Sequence, residues 1–502
     1  MDEDEYTGEA TFGALTSSRR TRQRVLQAQV RVGSYEFDNS DFVIGQGQGG
    51  PFTGALTPTV IDNNPTELRH ALWLATDAAY KQSVEVLARK RAYVRNKVQE
   101  ELLPDFSREN PTVAIAPKRS LEFEQSRLET QLREWSRIFK DFAHIESSRV
   151  MIGARLNHRY IVNSEGTRTL QPELVVSVEA SAGVQAPDGM RVTHSIPFYA
   201  RSFEQLPSQE AIARSIRQLA TDLTLLQSAP VLDADYSGPV LVTGQVSTEM
   251  FARVLAPNLS GQRGPMSERA QQGPSGSELL NRMNRPVLPL YFSAFDDPTQ
   301  LRAGGQELMG HYEVDDQGVP ARRVSLIEDG LLTDLLMSRK PAKNRLQSNG
   351  HGRSGYPGRE TAQIGNLFIS ARDGKSYEEL KQELIKLGKT ERLQYCLVIR
   401  SVDPNGRGPM GTPILTYKVY VADGREELVR GVSAEELPVG SLRHIQAAGD
   451  DAFVSNQLTG TRGAETPVSV IAPSVLLEEI ELRRSTGAQQ KPALMTHPYF
   501  GN

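Results

Sequence analysis

The stretch that decides the fold runs from Gly310 to Asn366 and reads GHYEVDDQGVPARRVSLIEDGLLTDLLMSRKPAKNRLQSNGHGRSGYPGRETAQIGN. It contains two turn signals, Asp315-Asp316-Gln317-Gly318 and Glu328-Asp329-Gly330. Asp supplies side-chain hydrogen bonds to the backbone of a turn, and Gly supplies a positive φ. The run 321–327 between the two turns is strand-like, and a second apolar run, 331–337, follows the second turn. The pattern therefore predicts a β-hairpin, followed by a Gly/Ser-rich loop.

Composition is typical of a soluble globular protein. The chain has 502 residues, of which 38% are hydrophobic and 24% charged, and this length is enough for two or more domains. Lys and Arg number 57 and Asp and Glu number 61, so the formal net charge is −4. No basic excess favours direct binding of nucleic acid or of an anionic membrane. The single cysteine, Cys396, excludes an internal disulfide and a cysteine metal cluster.

The sequence predicts neither a membrane span nor a signal peptide. No apolar run reaches the roughly 18 residues that a membrane span needs. The first residues, MDEDEYTGEATFGAL, are acidic and lack the apolar core of a signal peptide. We expect a cytoplasmic protein, with an N-terminus that is compatible with shortening or processing because strand-like alternation begins almost at once.

The first part of the chain combines alternating strand patterns with amphipathic helices. Asn64-Pro65-Thr66-Glu67 is a helix start, with Asn at the N-cap and Pro at the first helical position. We predict helices over 64–101, 120–140 and 208–227, and antiparallel strands over 6–44 and 146–203. In the first helix the apolar face is predicted to include Leu68, Leu72, Ala75, Ala79 and Val86.

Two domains of an α+β protein follow from this pattern. Residues 1–235 are predicted to form an N-terminal α/β domain, an antiparallel sheet with long helices. Residues 236–502 are predicted to form a β-rich domain with a barrel-like antiparallel sheet, a short helix over 247–256 and another over 376–387. Residues 258–286 are rich in Gly, Ser, Arg and Gln and are predicted to be a mobile loop or lid.

Two local signals are interpreted as structural. Gly45–Gly50 matches G-x-G-x-x-G as letters, but Pro51-Phe52-Thr53-Gly54 follows where a nucleotide fingerprint needs a helix start, so a flexible loop is predicted. Cys396 lies in an apolar strand, which predicts a buried thiol of structural rather than catalytic importance.

Taken together, the chain resembles the TldD/PmbA family, also called modulators of DNA gyrase, whose metal-bearing members are zinc peptidases. The resemblance spans about residues 6–482 and is strongest at 310–366. The matching segments are Val314–Pro320, Leu326–Leu331, Ser338-Arg339, Gln347–Arg353, Gly365–Leu367, Asn163–Gly166 and Ser237–Leu241. The resemblance implies dimers that enclose an interior cavity and peptidases that act on unfolded or short peptides.

The active members of that family need H-E-x-x-x-H on a helix and a Cys near the C-terminus, because these ligands hold Zn²⁺ and the Glu takes a proton from its bound water. Here Ala252 and Arg253 stand for the first His and the Glu, and Pro257 stands for the second His. No Cys lies between Asn456 and Pro467. The chain is therefore most similar to the metal-free PmbA/TldE-like type, with no catalytic residue, no bound metal and no cofactor expected.

Three functions remain open. The first is a noncatalytic subunit of a peptidase, as a homodimer or as a heterodimer with a metal-bearing TldD-like subunit, without direct contact to nucleic acid. The second is an active peptidase with a relocated metal site. It would draw on His311, His351, Asp315, Asp316 and Glu360. The third is a peptide-binding or assembly module that takes unfolded or short peptides by strand addition, without proteolysis.

We also predict which side chains line the peptide cavity that the resemblance implies. The candidates come from the opening stretch and are His311, Asp315, His351, Arg353 and Asn366.

Overall fold

The structure is a computed structural model that describes residues 1–43, 56–95, 103–267, 277–355, 360–461 and 464–485. Its class is α+β, as predicted. The N-terminal strands are β1 Asp2–Thr11, β2 Ala14–Leu26, β3 Phe42–Val43, β4 Thr57–Thr59, β5 Val113–Ile115, β6 Ser147–Val162, β7 Arg168–Gln185 and β8 Arg191–Ala200. The N-terminal helices are α1 Pro65–Arg95, α2 Gln125–Arg137 and α3 Gln209–Ser228.

Seven of these strands form one sheet in the order β4-β2-β1-β6-β7-β5, with β8 paired to the other end of β7. All its pairs are antiparallel except β5 with β7. Alternate side chains of β6, among them Val150 and Ile152, are buried on the face that α2 and α3 cover. The helices contribute apolar side chains at helical spacing, such as Leu132 and Ile216. This packing is the core of the N-terminal part.

Helix α1 begins where its capping residues predict. The Asn64 Oδ1 accepts a hydrogen bond from the Thr66 backbone N–H at 3.0 Å. The predicted apolar face is wrong in the first half of the helix, because Leu72 is 48% exposed and burial begins only at Ala79. Periodicity predicted that a core would cover the whole face, but the first half of α1 extends beyond the sheet's core. The predicted end near 101 and the predicted loop at Gly45–Gly50 lie outside the described residues.

Eighteen strands of the described chain follow residue 235: β9 Tyr236–Val242, β10 Met266–Ser267, β11 Phe292–Asp296, β12 Arg302–Ala303, β13 Gln306–Glu307, β14 Val324–Glu328, β15 Leu331–Leu332, β16 Gly352–Arg353, β17 Thr361–Ala362, β18 Asn366–Ala371, β19 Tyr395–Asp403, β20 Thr412–Tyr420, β21 Glu426–Val429, β22 Val432–Ala434, β23 Ile445–Ala448, β24 Phe453–Thr461, β25 Ala464–Ala472 and β26 Val475–Arg484. Two helices accompany them, α4 Gly244–Met250 and α5 Tyr377–Thr390.

Thirteen of these strands build two sheets that curl around a shared core, and the other five form short two-stranded pairs. One has the order β15-β14-β11-β18-β25-β24, and the other has the order β21-β20-β19-β9-β26-β22 with β23 on β26. Each sheet is mostly antiparallel, as predicted, and also contains one parallel pair, β18 with β25 and β9 with β19. Buried residues from both sheets, such as Val240, Phe292 and Val470, form one cluster with the inner face of α4. The domain boundary at 235/236 stays a prediction.

The opening hairpin is present, with a shorter second strand than predicted. Strands β14 and β15 pair through Ile327 with Leu332, and the connecting residues Asp329 and Gly330 have φ values of 47° and 76°. Two positive φ values match the type I′ turn that joins two strands tightly. The apolar run to Met337 leaves the sheet after Leu332, because its later residues pack into the core beneath loop segments.

The described parts of the predicted loop 258–286 are held in place. Strand β10 pairs in parallel with β3, and Arg263 lies 3.0 Å from Asp41. The Ser277 hydroxyl donates to the backbone carbonyl of Asn258. Residues 268–276 lie outside the described residues, so the role of this segment as a lid stays a prediction.

Within the described residues, no helix has the length and the apolar composition that crossing a membrane requires.

Candidate functional site

The helix on which we predicted the positions of the family's zinc ligands changes its geometry at those positions. Helix α4 ends at Met250, the chain continues as a π turn over Phe251–Leu255, and a 3₁₀ turn over Ala256–Leu259 follows. The apolar side chains of Met250 and Phe251 are buried in the core, which orients the opposite face away from it. π turns within helices are frequent at functional sites. The predicted α-helix over 247–256 is thus α-helical only in its first half.

A cavity of about 1340 Å³ adjoins this π turn. Its lining comes from α4 and the π turn, from strands β8 and β24, and from the loops around 404–409 and 435–439. Ala252, Arg253 and Pro257 all line it. The tertiary structure therefore places the three positions predicted to correspond to the zinc ligands together on the wall of this cavity.

Arg253 connects the π turn to the loop after β19. Its Nη1 donates to the carbonyl oxygen of Gly406 at 2.9 Å and to that of Gly408 at 3.3 Å, and its Nη2 donates to the carbonyl oxygen of Pro404. Its Nε lies 3.4 Å from Glu249 Oε2, one helical turn earlier. These contacts direct the N–H groups of the guanidinium toward protein acceptors rather than toward the open cavity.

Glu249 is the second charged group of this wall. It is 8% exposed, and its Oε1 accepts a hydrogen bond from Gln457 Nε2 of β24 at 2.9 Å. Burial raises the pKa of Glu249, while the Arg253 guanidinium opposes this change by favouring the carboxylate. Burial also raises the pKa of Tyr199 on β8 well above its ordinary value, and the negative charges of Glu179 and Glu249 add to the rise. The cavity wall therefore contains a polar network that joins α4 and the π turn to β24.

The residues at this site do not fit zinc. Ala252 offers only a methyl group, Pro257 has no donor atom in its side chain, and Arg253 is a cation that repels a metal ion. Cys396 is buried elsewhere, with Sγ 3.5 Å from the carbonyl oxygen of Leu384, and burial raises its pKa to about 11. The described residues contain no group of three or more His, Cys, Asp or Glu side chains that is arranged to hold a metal ion.

Three of the five predicted cavity residues are buried in the loop structure of the opening stretch. The His351 Nε2 lies 3.0 Å from Asp296 Oδ1, and its Nδ1 lies 3.0 Å from the carbonyl oxygen of Asn349. The Asn366 Nδ2 donates to the carbonyl oxygens of Asp297 and Gln300. These contacts hold loop backbone in place, so both side chains support the scaffold.

Asp315 has a similar scaffold role. Its carboxylate accepts hydrogen bonds from the backbone N–H groups of Gln317, Val319 and Gly352 at 2.8–2.9 Å. Burial raises the pKa of Asp315 to about 7, although these three donors favour the charged form. The predicted turn at 315–318 is thus stabilised by the side chain that the sequence indicated.

The remaining two predicted residues, His311 and Arg353, line a second and smaller cavity of about 220 Å³. None of the five predicted residues lines the large cavity. Sequence reasoning missed Glu249 and Gln457. The spacing of Glu249 and Arg253, four residues apart on a helix, was the available signal for the first. Nothing near Gln457 in the sequence connects it to α4. Contact of the five predicted residues with a peptide stays a prediction.

Comparison with known proteins agrees with this architecture. Residues 236–484 match the family model of the PmbA/TldA metallopeptidase C-terminal domain. A metalloprotease of Methanothermobacter thermautotrophicus is 23% identical over 320 residues, which is 62% of this chain and 64% of that protein. The chain thus covers less than two thirds of that relative's length.

Solved structures are similar over nearly the whole chain. A proposed modulator of a DNA gyrase from Thermotoga maritima has a TM-score of 0.60 and 16% identity, and the match covers 96% of this chain and 94% of that chain. TldE from Thermococcus kodakarensis has a TM-score of 0.58 and 13% identity, with coverage of 96% of this chain and 95% of that chain. A proposed modulator of DNA gyrase from Bacteroides thetaiotaomicron has a TM-score of 0.57 and 12% identity, with coverage of 96% of this chain and 93% of that chain. At these identities the likeness shows the fold.

The fold and the family match thus define an α+β protein whose second half is a metallopeptidase-type domain. Residues 236–484 belong to the PmbA/TldD family, as the opening stretch predicted.

Proposed function

We propose that this chain is a metal-free, noncatalytic subunit of a TldD/PmbA-type peptidase. It would pair with a zinc-bearing relative, or with a second copy of itself, and contribute its large cavity to an enclosure for unfolded or short peptides. The observation that supports this proposal most directly is the state of Arg253. A guanidinium tied to Pro404, Gly406 and Gly408 stands where the active members need the catalytic Glu.

The test compares zinc content and peptidase activity in two preparations. The chain is purified alone and after co-expression with an H-E-x-x-x-H relative from the same genome, and both are assayed on an unfolded casein-type substrate. We expect no stoichiometric zinc and no peptidase activity in the isolated chain, with copurification and activity in the pair. Stoichiometric zinc bound to the isolated chain would contradict the proposal.

A second candidate is peptide binding by the isolated chain without any proteolytic partner. Strands β8 and β24 each end a sheet within the described residues, and both line the large cavity. An edge strand offers backbone N–H and C=O groups that can pair with an extended peptide regardless of its sequence.

This candidate is tested with a fluorescent ten-residue peptide rich in Ser and Thr. The control peptide has the same sequence with alternate backbone nitrogens methylated, which removes the donors that strand addition needs. Binding of the plain peptide at least about tenfold tighter than the methylated one supports this candidate. Equal binding excludes strand addition as the mode.

A relocated metal site has less support. His351 is already engaged by Asp296 and by Asn349, and His311 Nδ1 lies 3.0 Å from the carbonyl oxygen of Pro298. Peptidase activity of the isolated chain that is lost on His351→Ala with the fold intact would restore this alternative.

A further inference from the structure

The smaller cavity lies between the N-terminal sheet and the opening stretch. Strand β6 contributes Asn157 and Arg159, and Arg201 follows β8. The opposite wall includes His311 and Arg353. At about 220 Å³ the cavity has room for several water molecules or for one small residue of a ligand.

Arg353 has one nitrogen left without a protein partner. Its Nε lies 3.2 Å from Asp316 Oδ2, its Nη2 lies 3.4 Å from Glu173 Oε2, and its guanidinium stacks 4.1 Å from the centre of the Tyr312 ring. The residue is 4% exposed, yet Nη1 is buried with no hydrogen-bond partner in the part of the chain that the structure describes. A buried guanidinium N–H without an acceptor is costly, so this atom requires a ligand or an ordered water.

Arg201 provides a second guanidinium without a carboxylate partner. Its Nη1 donates to the carbonyl oxygens of Met309 at 3.2 Å and His311 at 2.8 Å, and it forms no ion pair with any described residue. Burial lowers the pKa of Arg201 and the positive charge of Arg353 lowers it further, while the negative charge of Glu173 opposes these two effects. An anion beside Arg201 would relieve both effects.

The carboxylates around the cavity are already engaged. Asp316 lies between Arg159, at 2.9 Å, and Arg353, at 3.2 Å. Glu465 lies 3.0 Å from Arg155. Glu313, which also lines the cavity, is exposed to solvent, where water screens its charge. Arg201, which is partly buried, is therefore the arginine of this cavity that forms no ion pair with a described residue, and the charge of Glu173 acts on it only over a longer distance.

We propose that this cavity is a carboxylate-binding subsite, in which Arg353 Nη1 and the Arg201 guanidinium donate to one carboxylate. Asn157 Oδ1 is buried without a partner among the described residues, and it would accept an N–H from the same ligand. A carboxylate next to an N–H group is the chemistry of a peptide C-terminus, and a small free carboxylic acid supplies the carboxylate alone. This inference does not rest on the proposed function, because it concerns a different cavity and needs no partner subunit.

The test uses acetyl-trialanine, its C-terminal amide and sodium acetate as probes of the full chain in isothermal titration calorimetry. We expect the free acid to bind at least about tenfold more tightly than the amide, because only the acid offers the charge. Arg201→Gln should weaken binding of the acid by about tenfold or more. Arg168→Gln removes an exposed arginine of the same sheet and should leave binding unchanged.

Acetate distinguishes the source of the carboxylate. Competition by acetate supports a small free acid, and binding of the peptide acid that acetate does not displace supports a peptide terminus. Equal affinity for acid and amide, or no binding of the acid, would overturn the proposal. Arg201→Gln removes contacts to Met309 and His311, so circular dichroism checks its fold. If Arg201→Gln does not fold, the proposal is tested by comparing the affinities of the acid and of the amide for the unchanged chain.

Discussion

Our interpretation of the large cavity as noncatalytic depends mainly on Arg253. Its guanidinium satisfies three backbone carbonyl oxygens of one loop and forms an ion pair with the buried Glu249. Arg presents several N–H groups in a fixed plane, so no other side chain can make this set of contacts. These contacts give Arg253, which the sequence predicted at the position of the family's catalytic Glu, a structural role.

We predict that Arg253→Ala lowers the free energy of unfolding by about 1–3 kcal/mol, because it leaves carbonyl oxygens and the buried Glu249 without their partner. Arg253→Lys should recover only part of the loss, since an ammonium cannot reach all the acceptors. Urea unfolding measures both. Arg19→Ala removes an exposed arginine and serves as the control, with a change within about 0.5 kcal/mol. A loss for Arg253→Ala as small as that of the control would contradict the structural role.

His194 predicts a pH dependence of stability. It is 3% exposed on β8, and burial lowers its pKa from 6.5 to about 4, while Asp403 opposes the change. Below pH 6.5 the unfolded state binds a proton that the folded state excludes, so the contribution of His194 is complete above pH 6.5 and is lost as the pH falls toward 4.

We expect His194→Gln to flatten the profile of stability against pH between pH 4 and 6.5 by up to about 1.4 kcal/mol per pH unit. Urea unfolding at a series of pH values measures the slope. The exposed His144→Gln variant is the control and should keep the slope of the unchanged chain. The same slope in all three proteins would show that His194 titrates alike in the folded and unfolded states.

At the scale of elements, the hairpin of β14 and β15 depends on its turn. Gly330 has a φ of 76°, and a Cβ at this position would lie 2.5 Å from the carbonyl oxygen of Leu288 and 2.7 Å from that of Pro289. Both the backbone conformation and the space therefore require glycine. The turn signal in the sequence predicts the positive φ of Gly330. The close approach of the Leu288 and Pro289 backbone follows only from the tertiary structure.

We predict that Gly330→Ala lowers the free energy of unfolding by about 2–4 kcal/mol, since strain and a backbone clash add. Gly305 is a matched control, because its φ is 78° and a Cβ there would meet no atom within 4 Å. Gly305→Ala should cost only about 1 kcal/mol, the conformational part. Thermal or urea unfolding measures the loss of unfolding free energy in both variants. Equal losses would show that the backbone contacts around Gly330 add nothing to the cost of the substitution.

At the scale of the whole molecule, Arg339 connects the opening stretch to the N-terminal sheet. Its Nη1 and Nη2 lie 2.6 and 2.7 Å from the two carboxylate oxygens of Glu165, and Nη2 also donates to the carbonyl oxygen of Ser107. The guanidiniums of Arg339 and Arg31 lie 3.9 and 3.5 Å from the centre of the Phe106 ring. One buried, bidentate ion pair thus joins segments about 170 residues apart.

We predict that Arg339→Ala lowers the free energy of unfolding by about 3–5 kcal/mol, because Glu165 loses its partner in a largely buried site. The double variant Arg339→Ala/Glu165→Gln should be less destabilised than the sum of the single changes. Calorimetry should also show the unfolding transition broadening or separating as the two halves lose this connection. Arg91→Ala, at an exposed arginine of α1, is the control. Additive losses would show that the pair carries no coupling.

Local rules predicted much of this fold. The Asn64 cap and the Asp329-Gly330 turn both lie where side-chain chemistry and φ preferences place them. The same rules failed where burial depends on distant neighbours. Leu72 has the period of a core residue, but no described element covers it. The hairpin's second strand is short because the residues after Leu332 pack into the hydrophobic core instead of continuing the strand pairing.

The sequence alone determined the α+β class from the patterns along the chain, and it determined the family resemblance and the opening hairpin from short segments. That Ala252, Arg253 and Pro257 stand at the positions of the family's zinc ligands stays a prediction from the sequence. Only the tertiary structure decided which groups these positions contact. The carbonyl oxygens that bind Arg253 lie 151 to 155 positions away in the chain, and Gln457 lies 208 positions from Glu249. Contacts at such separations follow from how the sheets curl around a shared core, and no local spacing in a sequence records them.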